Sequence, residues 1–218
     1  KISSPYDPDD KYRIGWSIPG DATVWNTFGG NAAGTVLIDS LDAITGLTLL
    51  RETLVVLRMR GIILGSLTGQ AEPAYKFERF ESDGVGCQFP RTVASARSLT
   101  IFAGEDDYYA FNGGELRPIG GKARLGVMND TYRYPMYGAI LSNAFGKRGL
   151  YYALTRPHTS EAFSWLFDLQ NNTWQKFYWG SLAYNLMQLP LSQTSNGSVT
   201  GTYPRGVCYF TGSQTPDF

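Results

Sequence analysis

Histidine and cysteine are nearly missing from this chain, which has one and two of them in 218 residues. Histidine is the usual proton carrier of nucleophilic catalysis, because its ordinary pKa lies near neutrality. His158 alone would have to serve any Ser-His-Asp or Cys-His mechanism. It follows Pro157 with no cysteine nearby, and a solvated loop histidine is expected. Cys87 and Cys208 stand 121 positions apart. Metal sites need closer spacing and secreted disulfide scaffolds more cysteines, so two reduced, buried thiols are expected. No His-Glu-x-x-His, Gly-rich phosphate loop or Cys-x-x-Cys is present. Together these gaps predict a protein that is not an enzyme, with no catalytic, cofactor or metal residues to nominate.

Neither sign of charge is in excess, since 19 Lys and Arg balance 19 Asp and Glu. A protein that grips nucleic acid by its phosphates carries a basic surplus, so tight DNA or RNA binding is not expected from composition. Charged residues make up 17% of the chain, below the roughly 25% of soluble domains. Much of the surface is then left to other protein or to small polar residues. Long apolar runs are missing too. The most apolar stretch, residues 47–67, is interrupted by Arg51, Glu52, Arg58 and Arg60, whereas a membrane helix needs ~20 apolar residues. No membrane insertion is expected, and no signal peptide is visible. The opening at Lys1 and the stop at Phe218 read as an excerpt of a longer polypeptide.

Turn formers and strand formers are plentiful: 25 glycines, 11 prolines and 14% aromatics, a composition for many short strands. Repetition organises them. Leu54–Leu57, a turn at Arg58–Gly61 and Ile62–Leu64 form a hairpin signal; Leu99–Phe102, a turn at Ala103–Asp106 and Asp107–Phe111 form another, offset by 45 residues. A third unit opens at Gly149–Leu154, its first leucine 51 residues after Leu99, and continues through Phe163–Leu169 and Thr173–Trp179. Gly113-Gly114 and Gln170-Asn171-Asn172 occupy corresponding turns, where the backbone needs residues tolerant of the left-handed region. Ser40–Arg60 reads as strand rather than helix, given its β-branched residues and Gly46.

Units of ~40–50 residues with three or four strands are the mark of propeller blades, because one blade cannot cover both its faces alone. The fold expected is all-β, of antiparallel blade-like repeats: a β-propeller or part of one. The chain reads as a single such domain over 1–218, with units near 47–70, 92–120 and 148–180. Trp165–Trp174 also resembles a kelch-type blade, with an apolar strand ending in Asp168, a polar turn, and Trp174 on the returning strand.

The remaining motifs have modest readings. Glu105-Asp106-Asp107 lacks the alternate spacing of a calcium loop and is expected as a solvated turn. Paired carboxylates for glycoside hydrolysis cannot be nominated from 19 acidic residues without a local motif. Gly29-Gly30, Gly113-Gly114 and Gly120-Gly121 are expected as turn residues, not placed between a strand and a helix. The sequons at Asn129, Asn171 and Asn196 are read as chance, and Gln193–Gly201 as an exposed loop. Trp16, Trp25 and Trp174 could stack on sugars if exposed, although blade tryptophans more often belong to the core.

Gly15–Trp25 carries a Trp-Ser opening, a Pro-Gly-Asp turn and a second Trp. It superficially resembles the Asp-box turn of sialidase propellers, but Asp and Gly stand in the wrong order and only one copy occurs. With Ile38–Leu47, Glu52–Arg58, Gly86, Pro90–Val93, Leu99–Phe102 and Tyr108–Gly113, the segment more closely resembles β-propeller-containing tail proteins of short-tailed bacteriophages, over roughly residues 12–180. That resemblance implies a structural protein of the virion tail: a connector or nozzle ring of six copies around the DNA exit channel. Its partners would be itself, other connector and tail proteins and, transiently, the genomic DNA. The working surfaces would be subunit interfaces and loops. The alternatives are a glycan- or receptor-binding propeller and, further off, a sialidase-like glycosidase.

Overall fold

The computed structural model describes residues 11–18, 20–25, 32–38, 42–70, 74–96, 98–121, 123–124, 136–142, 149–156, 163–178, 183–189 and 206–211. Among these residues sixteen strands follow one another: β1 (Arg13–Trp16), β2 (Gly34–Leu37), β3 (Ile44–Leu50), β4 (Thr53–Arg58), β5 (Gly61–Leu67), β6 (Tyr75–Phe80), β7 (Ala94–Ala96), β8 (Leu99–Ala103), β9 (Tyr108–Phe111), β10 (Leu116–Pro118), β11 (Tyr137–Ser142), β12 (Leu150–Arg156), β13 (Phe163–Asp168), β14 (Thr173–Tyr178), β15 (Ala183–Leu189) and β16 (Gly206–Thr211). They form three four-stranded antiparallel meanders, β3–β6, β7–β10 and β11–β14, with a two-stranded sheet before them (β1–β2) and another after (β15–β16). The protein is all-β, built of antiparallel blade-like repeats. Among the described residues, no strand of the first hairpin pairs with one of the last.

Stacking follows from the side-chain alternation of each strand. In the first meander Val55 and Leu57 point with Ile62 and Leu64 toward Phe102, Tyr109 and Phe111 of the second. Leu54, Val56 and Ile63 point the other way, onto Ile14 and Val36 of the first hairpin. Both faces are covered, so Val55, Val56 and Leu57 are all fully buried and the strand reads as a continuous apolar run. The second meander does the same: Ile101, Ala103, Tyr108 and Ala110 meet Ile140, Tyr152 and Phe167 of the third.

The opening strand of each meander lies beside the opening strand of the next, β3 against β7, β7 against β11 and β11 against β15. The stack therefore turns about a common line. Close approach along that line selects small residues. A Cβ on Gly46 would sit 3.2 Å from the Val93 side chain, and the Thr48 and Ser95 hydroxyls hydrogen-bond directly across the seam at 2.6 Å. Ser95 continues the chain of hydroxyls to Thr100 at 2.9 Å.

The strands at Leu54, Leu99 and Leu150, which begin the three hairpin signals, are the second of each sheet; the sheets open one strand earlier, at Ile44, Ala94 and Tyr137. Strand β11 had no counterpart in the sequence reading. Its sequence, Tyr-Gly-Ala-Ile-Leu-Ser, is apolar enough for a strand, but Gly138 interrupts the alternation that marks one. The expected turns at Gly113 and Asn172 are present. Gly113 has φ 99° between β9 and β10, and Asn172 has φ 53° between β13 and β14. Each turn is anchored by one oxygen accepting two backbone N–H groups: Asn112 Oδ1 from Gly114 and Glu115, and Asp168 Oδ1 from Gln170 and Asn171. Gly120-Gly121 departs from expectation, since Gly120 follows β10 and Gly121, like Ala123 and Arg124, has helical backbone.

Candidate functional site

The link from β6 to β7 must return from an outer strand to the inner line, and it crosses the turn between β4 and β5 on the way. A tight turn starts it: Val85 N–H donates to Ser82 O at 2.8 Å, with Asp83 and Gly84 both at positive φ. Gly86 then passes so close to the β4–β5 turn that a Cβ there would collide with the backbones of Arg58, Met59 and Gly61. Cys87 N–H donates to Arg58 O at 2.7 Å and Gln88 N–H to Ala103 O at 3.0 Å, so the link is bonded to both meanders. The Gln88 side chain adds a third tie, donating from Nε2 to Met59 O at 2.9 Å.

A cavity of about 560 Å³ is left over this crossing. It is lined by Met59, Gly84, Gly86 and Tyr109, with Asp83, Glu105, Asp106 and Arg124 supplying the charge. The Tyr109 hydroxyl donates to Asp106 Oδ1 at 2.8 Å. Burial holds the Tyr109 phenol well above its ordinary pKa, with the Asp106 bond acting in the same direction, so it remains a donor at neutral pH. The bond leaves Asp106 fixed at the rim rather than swinging in solvent.

Asp107 plays a different part from its two neighbours, and here the expectation of a wholly solvated turn fails. Its carboxylate is buried; Oδ1 accepts from Tyr108 N–H at 2.7 Å and from Gly120 N–H at 2.8 Å. Arg124 Nη1 lies 3.8 Å from its other oxygen. A buried carboxylate needs such partners, and this one pins the exit of β10 back to the start of β9. A second buried acid was invisible in the sequence. Asp42 meets Arg58 Nη2 at 2.7 Å and accepts Arg60 N–H at 3.1 Å, which fastens the entry of β3 to the β4–β5 turn.

The other singled-out residues are dispersed. Cys87 is buried and free, its thiol pushed up to about 12 by burial and therefore protonated at neutral pH; Cys208 falls on β16. Trp16 packs against Tyr75 and Phe77 and donates to Ala32 O at 2.9 Å. Trp174 contacts Tyr108, Tyr152, Trp165 and Phe167 and donates to Ile119 O at 2.5 Å, which makes it a seam residue. Of the three tryptophans considered for sugars, Trp25 is the exposed one, at 38%. Asn171 is exposed at the β13–β14 turn and donates from Nδ2 to Asp168 at 2.8 Å. His158, Asn129, Asn196, Gly29-Gly30 and the expected loop 193–201 lie outside the described residues.

Among the described residues, no group of three or more His, Cys, Asp or Glu is placed to hold a metal ion. No described helix is long and apolar enough to cross a membrane. No protein-family model matches the chain, and no curated protein matches it.

Proposed function

We propose that this protein is a structural component of a bacteriophage virion tail, a connector or nozzle subunit that works through its interfaces in a ring around the DNA exit channel. The observation that carries this reading is the convergence of the opening strands β3, β7, β11 and β15. Sheets stacked about one line make a rigid body whose turns and outer edges face neighbours, which is what an assembly subunit requires. The resemblance of residues 12–180 to tail proteins supplies the particular assembly, a ring of six copies. Balanced charge suits a channel wall along which DNA must move without being held.

Cryo-electron microscopy of the purified protein, with mass spectrometry of virions, tests the proposal. Rings of the chain, and its presence in tails, are the expected result. A monodisperse monomer that is absent from virions would overturn it. The second reading, a glycan- or receptor-binding propeller, draws on the exposure of Trp25. A glycan array without hits removes it, and blank activity on sialosides removes the glycosidase.

A further inference from the structure

We propose that the first and last two-stranded sheets are halves of one four-stranded sheet, completed when β1 pairs antiparallel with β16, so that the stack closes on itself within one chain. Each meander runs from an inner opening strand to an outer fourth strand, and the chain then passes to the inner strand of the next sheet, β6 to β7 and β10 to β11. The link from β2 to β3 makes the same passage. Strand β2 therefore stands in the place of a fourth strand, and its partner β1 in that of a third. At the other end β15 lies against β11 and β12, the place of an opening strand, and its partner β16 stands second. Each sheet has the half that the other lacks.

The packing agrees with these places. In the first meander the third and fourth strands turn Ile62, Leu64 and Phe80 toward the second meander, and the second strand adds Val55 and Leu57. The first hairpin turns Ile14, Val36 and Ile38 onto Val56 and Ile63 in the same manner, and Trp16 reaches Tyr75 and Phe77 of the outer strand β6. It has no counterpart of Val55 and Leu57. The gap shows on the inner strand of the face it covers: Leu49, opposite Leu54, is 62% exposed. Isolated two-stranded sheets are marginal, and a free edge is a row of unpaired backbone donors and acceptors. Pairing β1 with β16 removes one free edge from each sheet and brings β15 to the inner side, over Leu49.

Exchange of the last sheet between copies would give the same pairing intermolecularly, so the test must read which chain is joined. It is oxidative cross-linking of the 218-residue protein at low concentration, with one cysteine on each of the two strands. On β1 the cysteine is Arg13→Cys or Gly15→Cys. On β16 it is the native Cys208, or Val207→Cys with Cys208→Ser, which samples both faces of that strand. Arg13 is exposed and a Cβ on Gly15 meets only ordinary contacts, so the variants should fold, and unchanged circular dichroism would verify it. Thr35→Cys on β2 is the control, because it stands one strand further from β16. Peptide mass mapping of the monomer band locates each bond and separates any made by the buried Cys87. A disulfide within one chain is expected in at least one β1–β16 combination, forming about tenfold faster than with Thr35→Cys, whose Cα lies beyond disulfide reach. No disulfide in any β1–β16 combination, equal yield with Thr35→Cys, or bonds found only between copies would overturn the proposal.

Discussion

The Tyr152 hydroxyl donates to the backbone carbonyl of Thr92 at 2.9 Å, joining the second strand of the third meander to the entry of the second. Thr92 belongs to a single 3-10 turn, Pro90–Thr92, and its own hydroxyl accepts Ala103 N–H at 2.9 Å. One turn thus ties two sheets together in a fully buried place. Burial raises the Tyr152 phenol well above its ordinary pKa, which favours the protonated hydroxyl that donates this bond. Tyr152→Phe should cost about 1–3 kcal/mol, because the Thr92 carbonyl would stay buried without that partner. Urea denaturation of the two proteins measures the difference.

Gly138 on β11 sits beneath this same bond. A Cβ there would strike both the Tyr152 hydroxyl and the Thr92 carbonyl oxygen. Gly138→Ala should therefore destabilise by roughly 1–3 kcal/mol or more, through overpacking against backbone that cannot yield. In the Tyr152→Phe background the penalty should shrink, since the nearest obstacle, the hydroxyl, is gone while the ring carbon and the Thr92 carbonyl remain. A double-mutant cycle reads that coupling.

Asp42 and Arg58 form a buried ion pair, each only 8% exposed. Removing one partner leaves the other charge buried, so Asp42→Ala should cost about 3–5 kcal/mol. Replacing both, Asp42→Ala with Arg58→Met, should be milder than the single change. A double variant as unstable as the single would show that the Arg60 N–H bond to Asp42, not the pair, carries the effect. Chemical denaturation of all three variants decides it.

Cys87 gives a pH-dependent prediction. Its folded thiol pKa is raised from about 9 to about 12, chiefly by burial. The sign follows: below about 9 neither state ionises and the stabilisation is fully present. As pH rises toward about 12 the unfolded thiol ionises first, and stability is lost across that window. Urea midpoints between pH 8 and pH 11 should fall more in wild type than in Cys87→Ala. In a Cys208→Ser background, Cys87 should resist a thiol reagent until the chain is unfolded.

Trp174 shows how far the residues themselves announced the fold. Its place after an apolar strand, Asp168 and an Asn turn was readable as blade-like, and so were the hairpins at Met59, at Gly104 and at Asn172. Local chemistry decides such features: apolar runs make strands, and Gly or Asn makes the turn between them. The inner strands β7 and β11 were not legible, since Ala94-Ser95-Ala96 has little apolar signal and Gly138 breaks the run of β11. Their smallness has meaning only when a neighbouring sheet is present to crowd them. The cavity was equally hidden. Asp106 and Asp107 are adjacent and chemically identical, yet one is held at an open rim and the other is buried under Gly120 and Arg124.

By itself, then, the sequence determined the all-β class, the repeat spacing and the turn positions, because each depends on residues within one hairpin of one another. Tertiary structure alone decided which strand opens each sheet, which acids are buried, and where a cavity is left between sheets. Those outcomes depend on groups that range from 13 positions apart, as with Asp107 and Gly120, to 60, as with Thr92 and Tyr152, and no local pattern encodes which distant backbone will arrive beside a given side chain.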